Sequence, residues 1–410
     1  MGGTGLLAAT ASATRAAART RKARAAGGDG TPEQIHLTWG ENPATSVVVS
    51  WASPEPATRP RVRIGQRVIP GQPRQYSDGI NGETVWTYHS RVDGLRPGAT
   101  YGYMVTADND SNAADPFTAT FRTAPHGRTA FRFTLDLATP STASLLAYSQ
   151  SAYAVDAVES FQPLFHLLNG DLCYADLNPA VQPEVWRDFG NNNQTSAANR
   201  PWMPCLGNHE VEFGNGTQGF TSYLTRYTLP DNQMPGFDGR WYSFRIGSVL
   251  FVCLDADDVV YQGYSGGAQT AWLERTLAAA HRDDSIDWII VQMHQCACSS
   301  SATGNGSDLG IRQQWRPLFD QDQVDLVLNR HVVQDAIWSA KRDSSTGYGI
   351  AVFDVNPDPE DFAGHTSITV THYHTVGAAD PVNPTTGAKG APTPDYTEFE
   401  TFTLVRPRSA

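Results

Sequence analysis

Between residues 131 and 331 the chain repeats one pattern, in which a short apolar run ends on an acidic residue or a histidine. The runs FRFTL, PLFHLLNG, DWIIVQM and VDLVLN end at Asp136, Asp171, His294 and near His331. Apolar runs of this length, separated by helical segments, indicate strands buried on both faces of an α/β sheet. Functional groups in such sheets collect where strands end and loops begin. The pattern therefore predicts one site built from several strand ends.

Segments with helical periodicity separate these strands. They are ASLLAYSQSAYAVDAVESF, GAQTAWLERTLAAAHRD and RQQWRPLFDQ, and a further apolar strand, SVLFVCLDA, precedes the second of them. Alternation of strands and helices predicts an α/β domain, which we place at residues 125–410.

The part of the chain from Ile35 to about Thr123 has a different pattern. Short alternating strands such as TSVVVSWAS and ATYGYMVTA are separated by turn residues, without a helical period. This predicts a β-sandwich at residues 32–124. The SVVVSW strand, the G-L-x-P-G-x-x-Y turn at Gly94–Tyr101 and the closing FRTAP resemble a fibronectin type III-like domain. We expect it to act as a structural spacer, with a ligand-binding module as the alternative.

Residues 1–31 stand apart from both domains. They combine a short Gly/Ala/Leu stretch, small residues and then Arg and Lys, which is similar to the end of a secretion signal; a disordered Ala-rich tail is the alternative. We therefore expect a secreted or cell-envelope protein and exclude this segment from the fold. No run of about 18 apolar residues occurs, so the sequence predicts no membrane span.

The formal net charge of -12 argues against nucleic acid or an anionic membrane surface as the main partner. A small anionic substrate would need a local positive centre, and a metal ion can supply one. The five cysteines are too few and too scattered for a disulfide framework. We interpret Cys296 and Cys298 as loop thiols.

The candidate ligands comprise two carboxylates, a phenol, an amide oxygen and two imidazoles. They are Asp136, Asp171, Tyr174, Asn208, His294 and His331. This mixed set suits two transition-metal ions better than calcium or a structural zinc. Asp171 has an oxygen for each ion and is the natural bridge. Two ions roughly 3.5–4 Å apart would hold a phosphoryl group between them.

Three motifs carry a resemblance to the calcineurin-like metallophosphoesterases, and within them to the purple acid phosphatases. They are GDLCY at Gly170–Tyr174, GNHE at Gly207–Glu210 and VQMH at Val291–His294. The resemblance extends over the chain from Ile35 onward. It implies a β-sandwich followed by an α/β metallophosphoesterase domain with two stacked mixed sheets flanked by helices.

The resemblance also implies how the site residues divide. Asp136, Asp171 and Tyr174 would hold an iron, and a second ion (iron, zinc or manganese) would be held by Asp171, Asn208, His294 and His331. His209 would bind the phosphate and protonate the leaving oxygen. The expected substrate is a small phosphorylated compound; the oligomeric state is open.

Two stretches depart from the family pattern. Thr134 and Leu135 precede Asp136 where a glycine is expected. Where the family has GHxH the chain reads Arg330-His331-Val332-Val333, and valine cannot ligate a metal. The following QDAIWSAKRDSSTGYGIAVFDV resembles the far C-terminal part of these enzymes, which predicts an internal deletion after residue 331. His372 and His374, two apart on a predicted surface strand, are the alternative source of a ligand.

Three functions remain open at this stage. The leading hypothesis is a metal-dependent acid phosphatase acting on phosphate monoesters. The alternatives are a catalytically impaired phosphatase-like protein, motivated by Val333, and a phosphodiesterase with the same metal site. Asp255, Asp257 and Asp258 are expected to form a solvated acidic loop, with a position at the rim of the pocket as the alternative. We interpret the three remaining histidines near the sandwich as incidental: His36, His89 and His126.

Overall fold

The computed structural model describes residues 30–108, 116–138, 149–297, 308–329, 349–374 and 396–408. The strands are β1 (Glu33–Trp39), β2 (Val47–Ser53), β3 (Thr58–Ile64), β4 (Arg67–Pro70), β5 (Gln72–Ser77), β6 (Thr84–Val92), β7 (Thr100–Asp108), β8 (Phe117–Arg122), β9 (Phe131–Ala138), β10 (Phe165–Leu168), β11 (Trp202–Pro204), β12 (Tyr242–Ile246), β13 (Val249–Cys253), β14 (Trp288–Gln292), β15 (Leu326–Leu328), β16 (Gly349–Asn356), β17 (His365–His374) and β18 (Glu398–Pro407). The α-helices are α1 (Ser149–Phe161), α2 (Gln182–Ala197), α3 (Thr221–Arg226), α4 (Ala268–His281), α5 (Leu309–Gln314) and α6 (Arg316–Gln321). Among the described residues, no helix is both long and apolar enough to cross a membrane.

The N-terminal domain consists of two four-stranded antiparallel sheets. One has the order β1-β2-β6-β5 and the other β4-β3-β7-β8. Alternate side chains of the strands meet between the sheets, where Trp51 stacks on Tyr88 at 5.6 Å between ring centroids and Phe121 is buried. In β7 and β8, more buried positions alternate with more exposed ones, and this is the physical source of the two-residue period in their sequence. The predicted β-sandwich is confirmed.

The second domain contains two mixed sheets packed face to face. The larger has the order β11-β10-β9-β16-β17-β18 and the smaller β12-β13-β14-β15. The rings of Phe133, Phe165 and Phe251 meet between them, with centroids 5.2–5.3 Å apart. Such aromatic pairs stabilise a core by about 0.5–1.5 kcal/mol each beyond their buried area.

Strand β13 shows why its sequence is apolar throughout. Val249 and Phe251 face the larger sheet, whereas Leu250 and Val252 pack with the apolar residues of α4, α5 and α6. Because both faces are covered, every position along the strand is buried. Two stacked mixed sheets flanked by helices were predicted, and this fold class is confirmed.

Two details differ from the sequence interpretation. RQQWRPLFDQ forms two short helices, α5 and α6, because Pro317 lies in the first turn of α6 and cannot continue the preceding helix. The strand expected at the surface, β17, instead lies between β16 and β18, and His372 on it is buried. Pairing with β18 covers the edge of β17, and the ring of Phe402 on β18 lies 6.0 Å from that of His372.

Candidate metal centre

Three loops that follow β10, β11 and β14 meet at glycine contacts. A Cβ atom on Gly207 would lie 2.5 Å from the backbone nitrogen of Asp171, and one on Gly170 would lie 2.9 Å from Cβ of His294. No side chain fits at these distances, so only glycine lets the backbones approach this closely. These two contacts bring GDLCY, GNHE and the end of VQMH together.

Two predicted ligands have backbones in the left-handed region. Asp171 has φ of 51° and Tyr174 has φ of 54°. Such a conformation is costly for a residue with a side chain, on the order of 1–3 kcal/mol, and persists where surrounding contacts enforce it. The strain supports a functional role for these two positions.

Glu210 fastens the GDLCY and GNHE loops to each other. Its Oε2 accepts the N–H of Asp171 and the N–H of Gly207, each at 2.8 Å, and its Oε1 accepts the N–H of Leu172 at 2.7 Å. The side chain is only 1% exposed, and burial raises the pKa of Glu210. A carboxylate that accepts three backbone N–H groups fixes the relative position of both loops.

The carboxylate of Asp171 lies at the centre of the site. Its Oδ2 is 3.0 Å from Nε2 of His294, and its Oδ1 accepts the backbone N–H of His209 at 3.0 Å. Burial alone would raise the pKa of Asp171. The interactions of Asp171 with His294 and with His209 outweigh burial and lower this pKa below its ordinary value.

The geometry of His294 fits a metal ligand. Its Nδ1 donates to the carbonyl oxygen of Asn169 at 2.6 Å, which turns Nε2 toward Asp171. Two electron-pair donors 3.0 Å apart need a cation or a proton between them. A hydrogen bond from the second ring nitrogen to a carbonyl is also the usual support of a ligating histidine.

Asn208 adds a third donor. Its Oδ1 is buried and has no hydrogen-bond partner among the described residues, which is costly for an amide oxygen unless a ligand satisfies it. A carboxylate, an imidazole and an amide oxygen in adjoining loops form the donor set of a borderline transition metal. The described residues therefore fit a metal ion.

His209 lies at the half-exposed edge of the same site. Its Nδ1 is 2.8 Å from Oδ2 of Asp176, and its ring lies against Tyr174 with centroids 4.2 Å apart. Burial lowers the pKa of His209, but the hydrogen bond to Asp176 and the charge of Asp171 outweigh burial and raise the pKa above its ordinary value. Asp176 belongs to none of the sequence motifs, and its only signal in the sequence is its position two residues after Tyr174.

The acidic loop was interpreted wrongly. Asp255, Asp257 and Asp258 are buried rather than solvated, with side chains held by hydrogen bonds from Tyr264, Gln262 and Ser265. The loop is buried because α4 covers it: Gln269 accepts the N–H of Asp255 at 2.9 Å and donates to its carbonyl oxygen at 2.8 Å. The charge of Asp257 acts on both His294 and Asp171.

Some predicted site residues fall outside the description. The backbone of Asp136 pairs with Ile350 of β16, but its side chain is not described, and His331 and Val333 lie outside the described residues. Within the described ranges no group of three or more His, Cys, Asp or Glu residues could hold a metal ion. Of the predicted ligands, Asp171 and His294 are in contact and Asn208 lies in the adjoining loop, while the ring of Tyr174 lies against His209.

Of the remaining histidines, His372 has its Nδ1 3.5 Å from Oε2 of Glu400 on β18. Burial lowers the pKa of His372 to about 4. The side chain of His374 is not described. The suggestion that these histidines supply a ligand stays a prediction.

Family models match most of the chain. Residues 32–123 match the N-terminal domain of purple acid phosphatases, and residues 145–335 match the calcineurin-like phosphoesterases. The resemblance of the first segment to fibronectin type III is a looser one that rests on its two-sheet architecture.

Relatives cover the chain more fully. An uncharacterized protein of Mycobacterium tuberculosis is 34% identical over 482 aligned positions, covering 91% of this chain and 87% of the relative. That alignment is longer than the 410-residue chain, so the relative has segments that this chain lacks. The Fe(3+)-Zn(2+) purple acid phosphatase 12 of Arabidopsis thaliana is 25% identical, covering 79% of this chain and 68% of the relative.

A solved structure agrees with the fold. Purple acid phosphatase PPD1 from yellow lupin seeds superposes with a TM-score of 0.65 at 16% identity, covering 91% of this chain and 74% of the lupin chain. Sequence models, relatives and fold agree with the motifs GDLCY, GNHE and VQMH, and the chain belongs to the purple acid phosphatase family of calcineurin-like phosphoesterases.

Proposed function

We propose that the chain is a metal-dependent acid phosphatase that hydrolyses phosphate monoesters at a dinuclear centre. The observation that carries the proposal is the 3.0 Å contact between Asp171 and His294 beside the buried Oδ1 of Asn208, which has no hydrogen-bond partner in the described part of the chain. With His331 these residues would hold one ion. Asp136, Asp171 and Tyr174 would hold the other, and the pair would be iron with iron, zinc or manganese.

The metal ions, when bound, supply positive charge for the phosphoryl oxygens and a nucleophile near neutral pH. The protein contributes a preorganised carboxylate, since Glu210 and the N–H of His209 fix the loops around Asp171 before any ligand arrives. Without the ions the site is acidic, with Asp171, Asp176 and Asp257 near one another, and would repel a phosphate.

His209 is the general acid of this proposal. Because its Nδ1 bonds to Asp176, the opposite edge of the ring is free to face the substrate, where Nε2–H can donate to the leaving oxygen. The raised pKa of His209 favours the protonated ring, which the acid role requires. A secreted or cell-envelope location, supported by the composition of residues 1–31, accompanies this proposal.

The test combines metal analysis with hydrolysis of p-nitrophenyl phosphate. We expect bound iron or zinc and turnover in the wild type, and loss of metal in Asp171→Asn and Asn208→Ala. His209→Asn should keep its metal while kcat falls by about 10²–10⁴. The exposed Asp284→Asn is the matched control for the change of charge. A wild-type protein with neither metal nor turnover would contradict the proposal.

A phosphatase-like protein with impaired catalysis is the second candidate, favoured by Val333 at the position of the second histidine of GHxH. The visible absorption spectrum separates the two candidates. A tyrosinate–iron(III) band requires an intact first site and would exclude the impaired protein. Faster hydrolysis of bis(p-nitrophenyl) phosphate than of the monoester would instead assign a phosphodiesterase.

A further inference from the structure

The segment from Gly207 to Thr228 begins with Asn208 and His209 and continues through α3. Its first residues are fastened to the GDLCY loop by Glu210. Farther along, the buried carboxylate of Glu212 accepts hydrogen bonds from Trp186 of α2, Ser222 of α3 and Asn215, the last at 2.8 Å. Asn215 and Glu212 together form a buried polar cluster at the far end of the loop that carries Asn208.

A turn of the N-terminal domain, at Asp78 and Gly79, joins this polar cluster. Oδ2 of Asp78 accepts from Nδ2 of Asn215 at 2.9 Å, and the N–H of Gly79 donates to Oδ1 of Asn215 at 3.0 Å. Both Asp78 and Asn215 are 2% exposed. The pairing is reciprocal and shielded from water, so its loss would remove a buried hydrogen bond from Oδ2 of Asp78 and from Oδ1 of Asn215, while Nδ2 of Asn215 would still donate to Gln182 and Glu212.

The backbones of Gly79 and Gly214 are also in close contact beside this pair. A Cβ atom on Gly79 would lie 2.1 Å from the carbonyl oxygen of Gly214. Meanwhile Oδ1 of Asp78 accepts the N–H groups of Ile80 and Asn81 at 2.9 and 3.0 Å, which fixes the shape of the turn. The turn fixed by Asp78 therefore contacts the loop at Gly214, five residues after His209.

The same domain also holds the end of α3. The last carbonyl oxygens of a helix have no partner within it. Here Thr225 O accepts from Thr87 Oγ1 at 2.9 Å and from His89 Nε2 at 3.0 Å. His36 Nε2 lies 3.1 Å from Arg226 O, and Arg74 donates to Leu224 O and Tyr227 O at 3.2 and 3.1 Å. His36 and His89, interpreted from sequence as incidental, are interdomain contacts.

From these contacts we infer that Asp78 and Gly79 are positioning residues for Asn208 and His209, so that the N-terminal domain is a working part of the site rather than a spacer. The segment 207–228 is held at its start by Glu210, in its middle by the Asp78 turn and at its end by β1, β5 and β6. Without the middle contact, the stretch between Glu210 and α3 would be held only through the hydrogen bonds of Glu212 to Trp186 and Ser222 among the contacts described above.

Two variants test the inference with different chemistry. Asp78→Asn keeps an oxygen for the turn but sets its amide NH₂ against Nδ2 of Asn215, so two donors face each other. Gly79→Ala forces a methyl group against the carbonyl of Gly214. The matched controls are Glu55→Gln, an exposed change of the same charge, and Gly102→Ala, where nothing lies within 4 Å of an added Cβ.

The first readout is amide hydrogen exchange of residues 207–216, which requires no activity. We expect both variants to exchange there about tenfold faster or more, from loss of a buried hydrogen-bond pair, while β13 and β14 keep wild-type rates. Zinc alone, titrated into metal-free protein, should bind more weakly to both variants than to the controls. Wild-type exchange and zinc affinity in both variants, or equally faster exchange in β13 and β14, would overturn the inference.

Turnover of p-nitrophenyl phosphate is the arm that rests on the proposed function. We expect kcat to fall more than tenfold, because the general acid His209 is displaced from the leaving oxygen. A wild-type protein without turnover would refute the proposed function, and the exchange and zinc measurements would still decide the positioning role.

Discussion

The backbone N–H of Asp171 donates a hydrogen bond of 2.8 Å to the carboxylate of Glu210, which lies 39 residues later in the sequence. The same carboxylate holds Gly207 and Leu172. The residue that organises the centre is thus one that neither binds metal nor contacts substrate in the proposed function, since all its oxygens serve the backbone.

Glu210→Gln should weaken both stability and metal binding. One carboxylate oxygen becomes an NH₂ group that faces a backbone N–H, leaving a buried donor unsatisfied at a cost of about 1–3 kcal/mol. Urea unfolding and metal content measure the two effects. The exposed Glu274→Gln is the matched control and should behave as the wild type. An unchanged unfolding midpoint in Glu210→Gln would contradict the clamp role.

Gly207→Ala should weaken metal binding. The backbone at Gly207 has φ of -122°, which alanine adopts readily, so the effect is steric: its Cβ would lie 2.5 Å from both N and Oδ1 of Asp171. Relief requires the GDLCY and GNHE loops to separate, at about 1–3 kcal/mol. Zinc titration against the wild type measures the loss, and equal affinity would show that the loops need not touch.

The fold should lose stability in mild acid through buried histidines. Burial lowers the pKa of His89 and of His166 to about 3. The unfolded chain binds these protons below about pH 6.5 and the folded chain does not, so unfolding takes up protons and its free energy falls as pH is lowered from 6.5 toward 3. Each histidine contributes a loss of about 2 kcal/mol between pH 7 and 5.

Urea unfolding of His166→Gln at pH 7 and pH 5 checks this prediction. The variant should lose about 2 kcal/mol less than the wild type over that interval. The exposed His281→Gln should match the wild type at both pH values. An identical loss in wild type and His166→Gln would mean that the ring is protonated in the folded state.

The effect of Asp255→Asn on the free energy of unfolding should shift in favour of the variant as pH rises. Burial first, and then the charges of Asp257 and Asp258, raise the pKa of Asp255 to about 8 against the opposing effects of Tyr264 and Arg240. Above pH 4 the unfolded chain releases this proton and the folded chain keeps it until about pH 8. Stability is therefore lost over that range, on the order of 4 kcal/mol by pH 7.

The measurement is the difference in unfolding free energy between Asp255→Asn and the wild type at pH 4.5, 6 and 7.5. We expect this difference to shift steadily in favour of the variant, because asparagine carries no charge to bury. A difference that is independent of pH would show that Asp255 ionises normally. Asp284→Asn, an exposed change of the same type, supplies the baseline.

Much of the fold follows from local pattern. The continuous apolar run of β13 and the alternating strands of the N-terminal domain indicate which strand faces are buried. The spacing of apolar residues along a short stretch is enough to predict this. The GDLCY and GNHE motifs likewise predicted Asp171, Tyr174, Asn208 and His209 because glycine turns at strand ends are visible in one short stretch.

Other features depended on pairing between distant segments. Asp176 with His209, Asp78 with Asn215 and the burial of Asp255 under α4 have no local signal, since an exposed acidic loop and a buried one can share the same residues. The sequence by itself determined the strands, the turns and the types of donor available. Only the tertiary structure decided which donor meets which acceptor, because a hydrogen bond depends on a separation near 3 Å that the packing of two domains sets.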